Sequence, residues 1–231
     1  MLVHGAFAES ASWDGVIAHL ATDGYPVVAV PPLRGLHDDA PYLRSVLDGV
    51  DGPIVLAGHS YGGTVMSEAA DGHPQVRALV YVASFLLEEG ESTGELAGRF
   101  PGNELGPALR PVPVPGPDGG TVDDLYIRQE KFRDVFAADV PEEIAARMAV
   151  TQRPIVADAL EGKATKAAWR TIPSWNLVTV QDLAVPAQAQ RFMGERAGAR
   201  SAEVDASHAV TVSQPLAVAR LIDEAARATV G

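Results

Sequence analysis

The sequence predicts an α/β fold: a mostly parallel sheet of about six strands, flanked by helices and carrying one helical insertion. Three observations predict it. Short β-branched runs alternate with helical patterns over residues 1–85 and 171–231, as in βαβ units. Val27-Val28-Ala29-Val30 and Ile54-Val55-Leu56-Ala57 are near-continuous apolar runs, as strands covered on both faces require. Between about 86 and 170 the alternation stops, so that stretch reads as a cap inserted into a single domain spanning 1–231. A chain of 231 residues is long enough for one such core and scarcely for two.

Taken in order, the expected strands are Leu2–His4, Tyr25–Val30, Ile54–Gly58, Ala78–Val82, Trp175–Val180 and Ala202–Asp205. Helices are expected at Ser12–Thr22, Pro41–Val50, Gly62–Asp71, Pro186–Arg196 and Pro215–Ala228. The last carries Leu216, Ala219, Ile222 and Ala226 at helical spacing. The first strand is short for an interior position, which points to further residues upstream of Met1. In the insertion, residues 98–120 are rich in Pro and Gly and read as an irregular excursion. Two amphipathic helices follow, near Asp123–Ala138 and Pro141–Gln152. Leu125, Phe132, Val135 and Phe136 fall on the first, Ile144 and Met148 on the second.

Composition narrows the partners. Net charge is −12, from 18 Lys and Arg against 30 Asp and Glu, with no basic run. A nucleic-acid backbone or an anionic membrane is therefore not an expected partner. Without cysteine there can be no disulfide, thiolate metal site or cysteine nucleophile. Nothing reaches the ~18 apolar residues of a membrane span, and the start lacks the pattern of a secretory signal. A cytoplasmic protein is expected; the oligomeric state is left open.

Chemistry concentrates at Gly58-His59-Ser60-Tyr61-Gly62, a G-x-S-x-G pattern between a buried-strand run and a helical one. Strand, tight turn and helix make a nucleophile elbow, with Ser60 exposed at its apex. The bland alternative is an ordinary turn with a serine N-cap. His4-Gly5-Ala6-Phe7 follows the first strand, so the Ala6 amide, with that of Tyr61, suits an oxyanion hole. A serine hydroxyl needs a base. His208 follows the last strand and precedes the last helix, on the same sheet edge as Ser60. Of the other histidines, His4 and His59 belong to the oxyanion loop and the elbow, His19 to a helix, and His73 to a loop beyond one. His37, expected on a loop at the correct edge, is the competitor. Enzymes with this elbow carry nucleophile, acid and histidine in that chain order. Asp182, directly after the Trp175–Val180 strand, fits the acid. Asp205, three residues before His208, is its rival, and Ser84, at the other place where an acid could sit, is not acidic.

These residues resemble the α/β-hydrolase superfamily, and within it the small esterases of the plant methylesterase and hydroxynitrile-lyase group and their bacterial relatives. The resemblance rests on His4-Gly5-Ala6 with Trp13, Pro32-Leu33-Arg34-Gly35, Gly58 to Gly63, Asp182 with Ala184-Val185-Pro186, and Ser207-His208. It covers nearly the whole chain and is weakest over 90–120. Gln181 and Leu183 stand where charged neighbours of the acid are expected. Ala206–Ser213 holds no lysine, which disfavours the lyase reaction. The resemblance implies hydrolysis of a small, apolar carboxylic ester through Ser60, His208 and Asp182, without metal or cofactor. Thioester, lactone or C–C substrates share that chemistry, and a non-catalytic ligand-binding protein is the alternative of another class. Phe7, His59, Leu125, Phe132, Phe136, Ile144 and Met148 are the expected substrate-pocket residues, unless those of the insertion merely hold it down.

Overall fold

The computed structural model describes residues 1–30, 35–116 and 119–230. Its strands are β1 (Leu2–Val3), β2 (Ala29–Val30), β3 (Ile54–His59), β4 (Val76–Val82), β5 (Leu109–Pro115), β6 (Thr121–Ile127), β7 (Ile155–Val156), β8 (Ser174–Thr179) and β9 (Arg200–Val204). Its helices are α1 (Asp14–Thr22), α2 (Leu36–Asp48), α3 (Tyr61–Ala70), α4 (Thr93–Gly98), α5 (Leu105–Ala108), α6 (Gln129–Phe136), α7 (Glu142–Thr151), α8 (Ala157–Glu161), α9 (Ala187–Arg196), α10 (Val210–Ser213) and α11 (Pro215–Thr229). Six strands form one parallel sheet in the order β2-β1-β3-β4-β8-β9, as the alternation predicts.

Alternating residues of β4 show why both faces are covered. Ala78, Val80 and Val82 pack with Trp13, Val16, Leu20, Val218 and Ile222 of the α1 and α11 side. Leu79 and Tyr81 join Leu43, Leu47, Val65 and Met66 on the other side. The same second cluster takes in Phe132, Val135, Phe136, Ala145 and Ile155, all from the insertion. The order of strand addition reverses about β1: the chain runs from β1 out to β2, then returns to β3 on the opposite side. The helices that follow β1 and β3, α1 and α3, therefore pack on opposite faces of the sheet, which places a switch point at the carboxyl ends of these strands. His4–Phe7 and Ser60 lie there.

Several expectations need correction. Strand Tyr25–Val30 shrinks to Ala29–Val30, because its partner β1 offers only Leu2 and Val3 for pairing. The helix expected from Pro41 begins at Leu36, with Asp38 and Asp39 in its first turn, where negative charge suits the helix dipole. That places His37 on the exposed side of a helix, not on a loop at the site. The insertion is not wholly helical. Asp123–Ala138 divides into β6 and α6, and the Pro-rich stretch before it supplies β5, paired antiparallel with β6, which pairs with β7. Pro111, Pro113 and Pro115 occupy every second position of β5. Their missing N–H groups fall on one edge, so the ladder to β6 uses the other and the sheet ends there. The Pro32-Leu33-Arg34 part of the quoted motif lies outside the described residues. Among the described residues, no helix is long and apolar enough to cross a membrane.

Candidate active site

Ser60 sits between β3 and α3 with φ 54° and ψ −127°. A non-glycine residue held in that region costs about 1–3 kcal/mol, so the surrounding contacts must impose it. They do: the Ser60 amide donates to Val82 O at 3.1 Å, and Ser84 Oγ donates to Ser60 O at 2.6 Å. Tight glycine contacts complete the turn. A Cβ on Gly62 would stand 2.5 Å from Val3 O, and one on Gly5 would stand 2.7 Å from Ser60 Cβ. The β1 loop thus rests directly on the serine. Strain recurs at the carboxyl ends of the neighbouring strands, with Phe7 at φ 60° and Ala83 at φ 46°.

His208 lies after β9, buried, with its ring between two partners. Nδ1–H donates to Asp182 Oδ2 at 2.7 Å, and Nε2 accepts from Ser60 Oγ at 2.9 Å. The carboxylate can only accept, so the proton must sit on Nδ1, leaving Nε2 free to take one from the serine. Asp182, 4% exposed, follows β8, and its Oδ1 accepts from the Ala184 and Val185 amides, both at 2.8 Å. Asp205 is exposed and is bound by Gln181 Nε2 at 2.6 Å, well away from the ring in its bonding. The structure therefore brings Ser60, His208 and Asp182 into one line and leaves Asp205 and His37 outside it.

Two further histidines lie beneath this line, both buried and both neutral. His59 Nε2–H donates to the His208 carbonyl at 2.8 Å, and its ring lies 4.8 Å from that of His208. His4 Nδ1–H donates to Gly5 O at 2.8 Å. Burial lowers the His59 pKa to about 3 and that of His4 to about 4. His59 therefore braces the histidine loop from below. The linkage has a sign that can be measured. Both folded values lie below the ordinary ~6.5 of an unfolded chain. Between the two, the unfolded chain binds more protons, so the stability these two histidines contribute is full above pH 6.5 and falls as pH falls towards 4. Each histidine contributes a slope of about 1.4 kcal/mol per pH unit there. Urea midpoints between pH 4.5 and 6.5 should show this fall, and His59→Gln should reduce the slope by about 1.4 kcal/mol per pH unit. A slope that the substitution leaves intact would refute the assignment.

The expected pocket residues separate into groups. Phe136 packs edge-on against His208, ring centroids 4.8 Å apart, and Phe132 stacks behind it at 5.0 Å, fully buried. Leu125 lies on β6, half-buried against the shared core. Phe7, Ile144 and Met148 line a crevice of about 360 Å³, with Ala8, Arg147 and Val212 among its other walls. None of Ser60, His208 and Asp182 lines it. Its ties to them are Phe7, next to Ala6, and Val212, on the short helix that follows His208. Tyr61 is the first residue of α3, whose first-turn amides have no partners within the helix. The Phe7 amide, by contrast, is occupied by Arg153 O at 3.0 Å. Among the described residues, no three His, Asp or Glu side chains gather as a metal site.

Residues that the sequence did not single out complete the setting. Thr179 and Gln190 point buried polar groups at Asp182 Oδ2. The signal for Gln190 was a polar residue on the inward side of a helix otherwise facing the core with Ala189 and Met193. Asp139 accepts a hydrogen bond from Ser207 Oγ, and the Ala209 amide donates to Phe136 O at 2.8 Å, fastening the insertion to the histidine loop.

The model of the alpha/beta hydrolase family matches residues 1–221. A pyrethroid hydrolase of Sphingobium wenxiniae is 29% identical over 250 residues, covering 99% of this chain and 87% of its own length. An alpha/beta hydrolase of Aspergillus novofumigatus is 30% identical over 253 residues, covering 98% and 95%. Among solved structures, polyneuridine aldehyde esterase superposes with a TM-score of 0.83 at 18% identity, covering 96% of each chain.

Proposed function

The chain belongs to the alpha/beta hydrolase family, and from that premise we propose that it hydrolyses a small, apolar carboxylic ester through an acyl-enzyme on Ser60. The single observation that carries this is the unbroken line from Ser60 Oγ through both nitrogens of His208 to Asp182. In this reading Ser60 attacks the carbonyl carbon while its proton passes to His208 Nε2. Asp182 keeps the ring in the required tautomer and stabilises the imidazolium that forms. The Ala6 and Tyr61 amides receive the oxyanion, and the positive end of α3 favours charge developing there. His208 returns its proton to the departing alcohol; water, deprotonated by the same ring, then releases the acid. The relatives' names, a pyrethroid hydrolase and an esterase, support ester bonds as the substrate class. Labelling with a fluorophosphonate, followed by mapping of the adduct, tests the reading: modification at Ser60 is expected, and a panel of simple esters should be turned over.

We assign the crevice at Phe7, Ile144 and Met148 to the larger apolar half of the ester. One methylene in such a pocket is worth about 1–3 kcal/mol, so kcat/KM should peak sharply along a series of acyl lengths. Met148→Ala should move the peak to longer chains with Ser60 still open to labelling. A flat profile, unmoved by the substitution, would remove the crevice from substrate binding. Phe136→Ala is the poorer probe, because that ring also supports His208.

A further inference from the structure

Asp182 does more than accept one proton. Its Oδ2 receives three donors: His208 Nδ1–H at 2.7 Å, the Thr179 hydroxyl at 2.8 Å and Gln190 Nε2 at 3.0 Å. With two amides on Oδ1, the carboxylate collects five hydrogen bonds, all inside the protein. Thr179 and Gln190 are both fully buried, on β8 and α9 respectively.

The Gln190 amide cannot turn round. Its Oε1 accepts from the Thr179 backbone N–H at 3.1 Å, a group that can only donate. One Nε2 hydrogen meets Val185 O at 2.7 Å, a group that can only accept. The other hydrogen must then point at Asp182 Oδ2 and at Thr179 Oγ1, 2.9 Å away. Thr179 Oγ1, receiving there, is left to donate its own hydrogen to the carboxylate. Each polarity in the cycle is dictated by a backbone group of fixed character. A side chain needed only to join α9 to β8 could do so through Asn176 Nδ2 and Gln190 O, 3.3 Å apart, without an amide aimed at an acid.

We propose that Gln190 and Thr179 are positioning residues for the reaction, holding the Asp182 carboxylate in the orientation that fixes the His208 tautomer. The proposal rests on the hydrolase reading above and deepens it. Two neutral donors steady the negative charge without adding a formal charge that would compete with the imidazolium.

Thr179→Val, nearly isosteric, removes one donor; Gln190→Met removes the other; Thr179→Ser restores the hydroxyl. Two readouts separate the proposal from its premise. The first is kcat and KM on an ester that the wild type hydrolyses. Thr179→Val and Gln190→Met should each lower kcat about tenfold to a hundredfold, with KM within twofold and Thr179→Ser close to wild type. The second is the far-downfield proton resonance of His208 Nδ1–H, which needs no turnover. It should broaden or move in Thr179→Val and return in Thr179→Ser, with circular dichroism unchanged. An unmoved resonance with unchanged kcat in Thr179→Val, or losses that follow only the unfolded fraction, would overturn the proposal. If the wild type hydrolyses no ester while the resonance responds as stated, the hydrolase reading fails and the positioning role stands.

Discussion

Ser60→Ala should lower kcat on esters by about 10⁴–10⁶-fold and abolish fluorophosphonate labelling, with KM little changed. The size of the effect follows from the position of the hydroxyl. Among the described residues it is the one group donating to His208 Nε2, at 2.9 Å, and it rises from a strained turn at φ 54°. Alanine keeps the Cβ against Gly5, so the oxyanion loop should stay in place. What remains in the variant should be the contribution of the oxyanion hole and of binding alone. The variant should also relieve no strain, because φ 54° is as unfavourable for alanine as for serine. Unchanged thermal stability with near-complete loss of turnover is therefore the expected pair of measurements. Full activity would sink the proposed mechanism.

The second large effect is Asp182→Asn, expected to lower kcat about 10²–10⁴-fold. Here the cost comes from polarity. Oδ1 faces two backbone amides that cannot turn, so the new NH₂ must occupy the Oδ2 position. There it would meet the Thr179 hydroxyl, the Gln190 amide and His208 Nδ1–H, all donors in the present arrangement. The ring can satisfy it only by presenting a bare Nδ1, which puts the proton on Nε2 and blocks acceptance from Ser60. Asp205→Asn should cost less than about tenfold, since its one bond is to Gln181 at the surface. Comparing kcat for the two variants decides the matter; the reverse order would reassign the acid.

Much of this arrangement was legible in the sequence, and the parts that were not share a cause. Ser60 could be named because its strand is a near-continuous apolar run ending in a tight turn, and Asp182 and His208 because each directly follows a later strand in the chain order nucleophile, acid, histidine. Periodicity failed where two elements shared one hydrophobic stripe. Leu125 and Phe132 to Phe136 fit a single helix on paper, yet Thr121–Ile127 is rich in residues that favour strands and finds a partner in β5. That partner was hidden by its prolines, which break a central strand but not an edge. His37 was misplaced by reading Pro41 as a helix start. Gln190 and Thr179 went unnoticed because hydrogen-bond polarity at a buried acid depends on side chains brought together across β8 and α9. No spacing in one chain encodes that meeting directly.

The insertion's buried apolar residues lie in the same cluster as Leu43, Val65 and Met66, with no separate core among the described residues between β4 and β8. Over evolutionary time this restricts how such enzymes can diverge. A foreign insertion could not be spliced between residues 82 and 174 as a ready-made part, because its apolar side would have to match a surface set by α2 and α3. Change should instead arrive in small, paired steps, one residue in the insertion and its neighbour below. Length variation should gather beside Gly116 and Gly120, which pair to close the β5–β6 hairpin, because Gly119 and Gly120 are exposed.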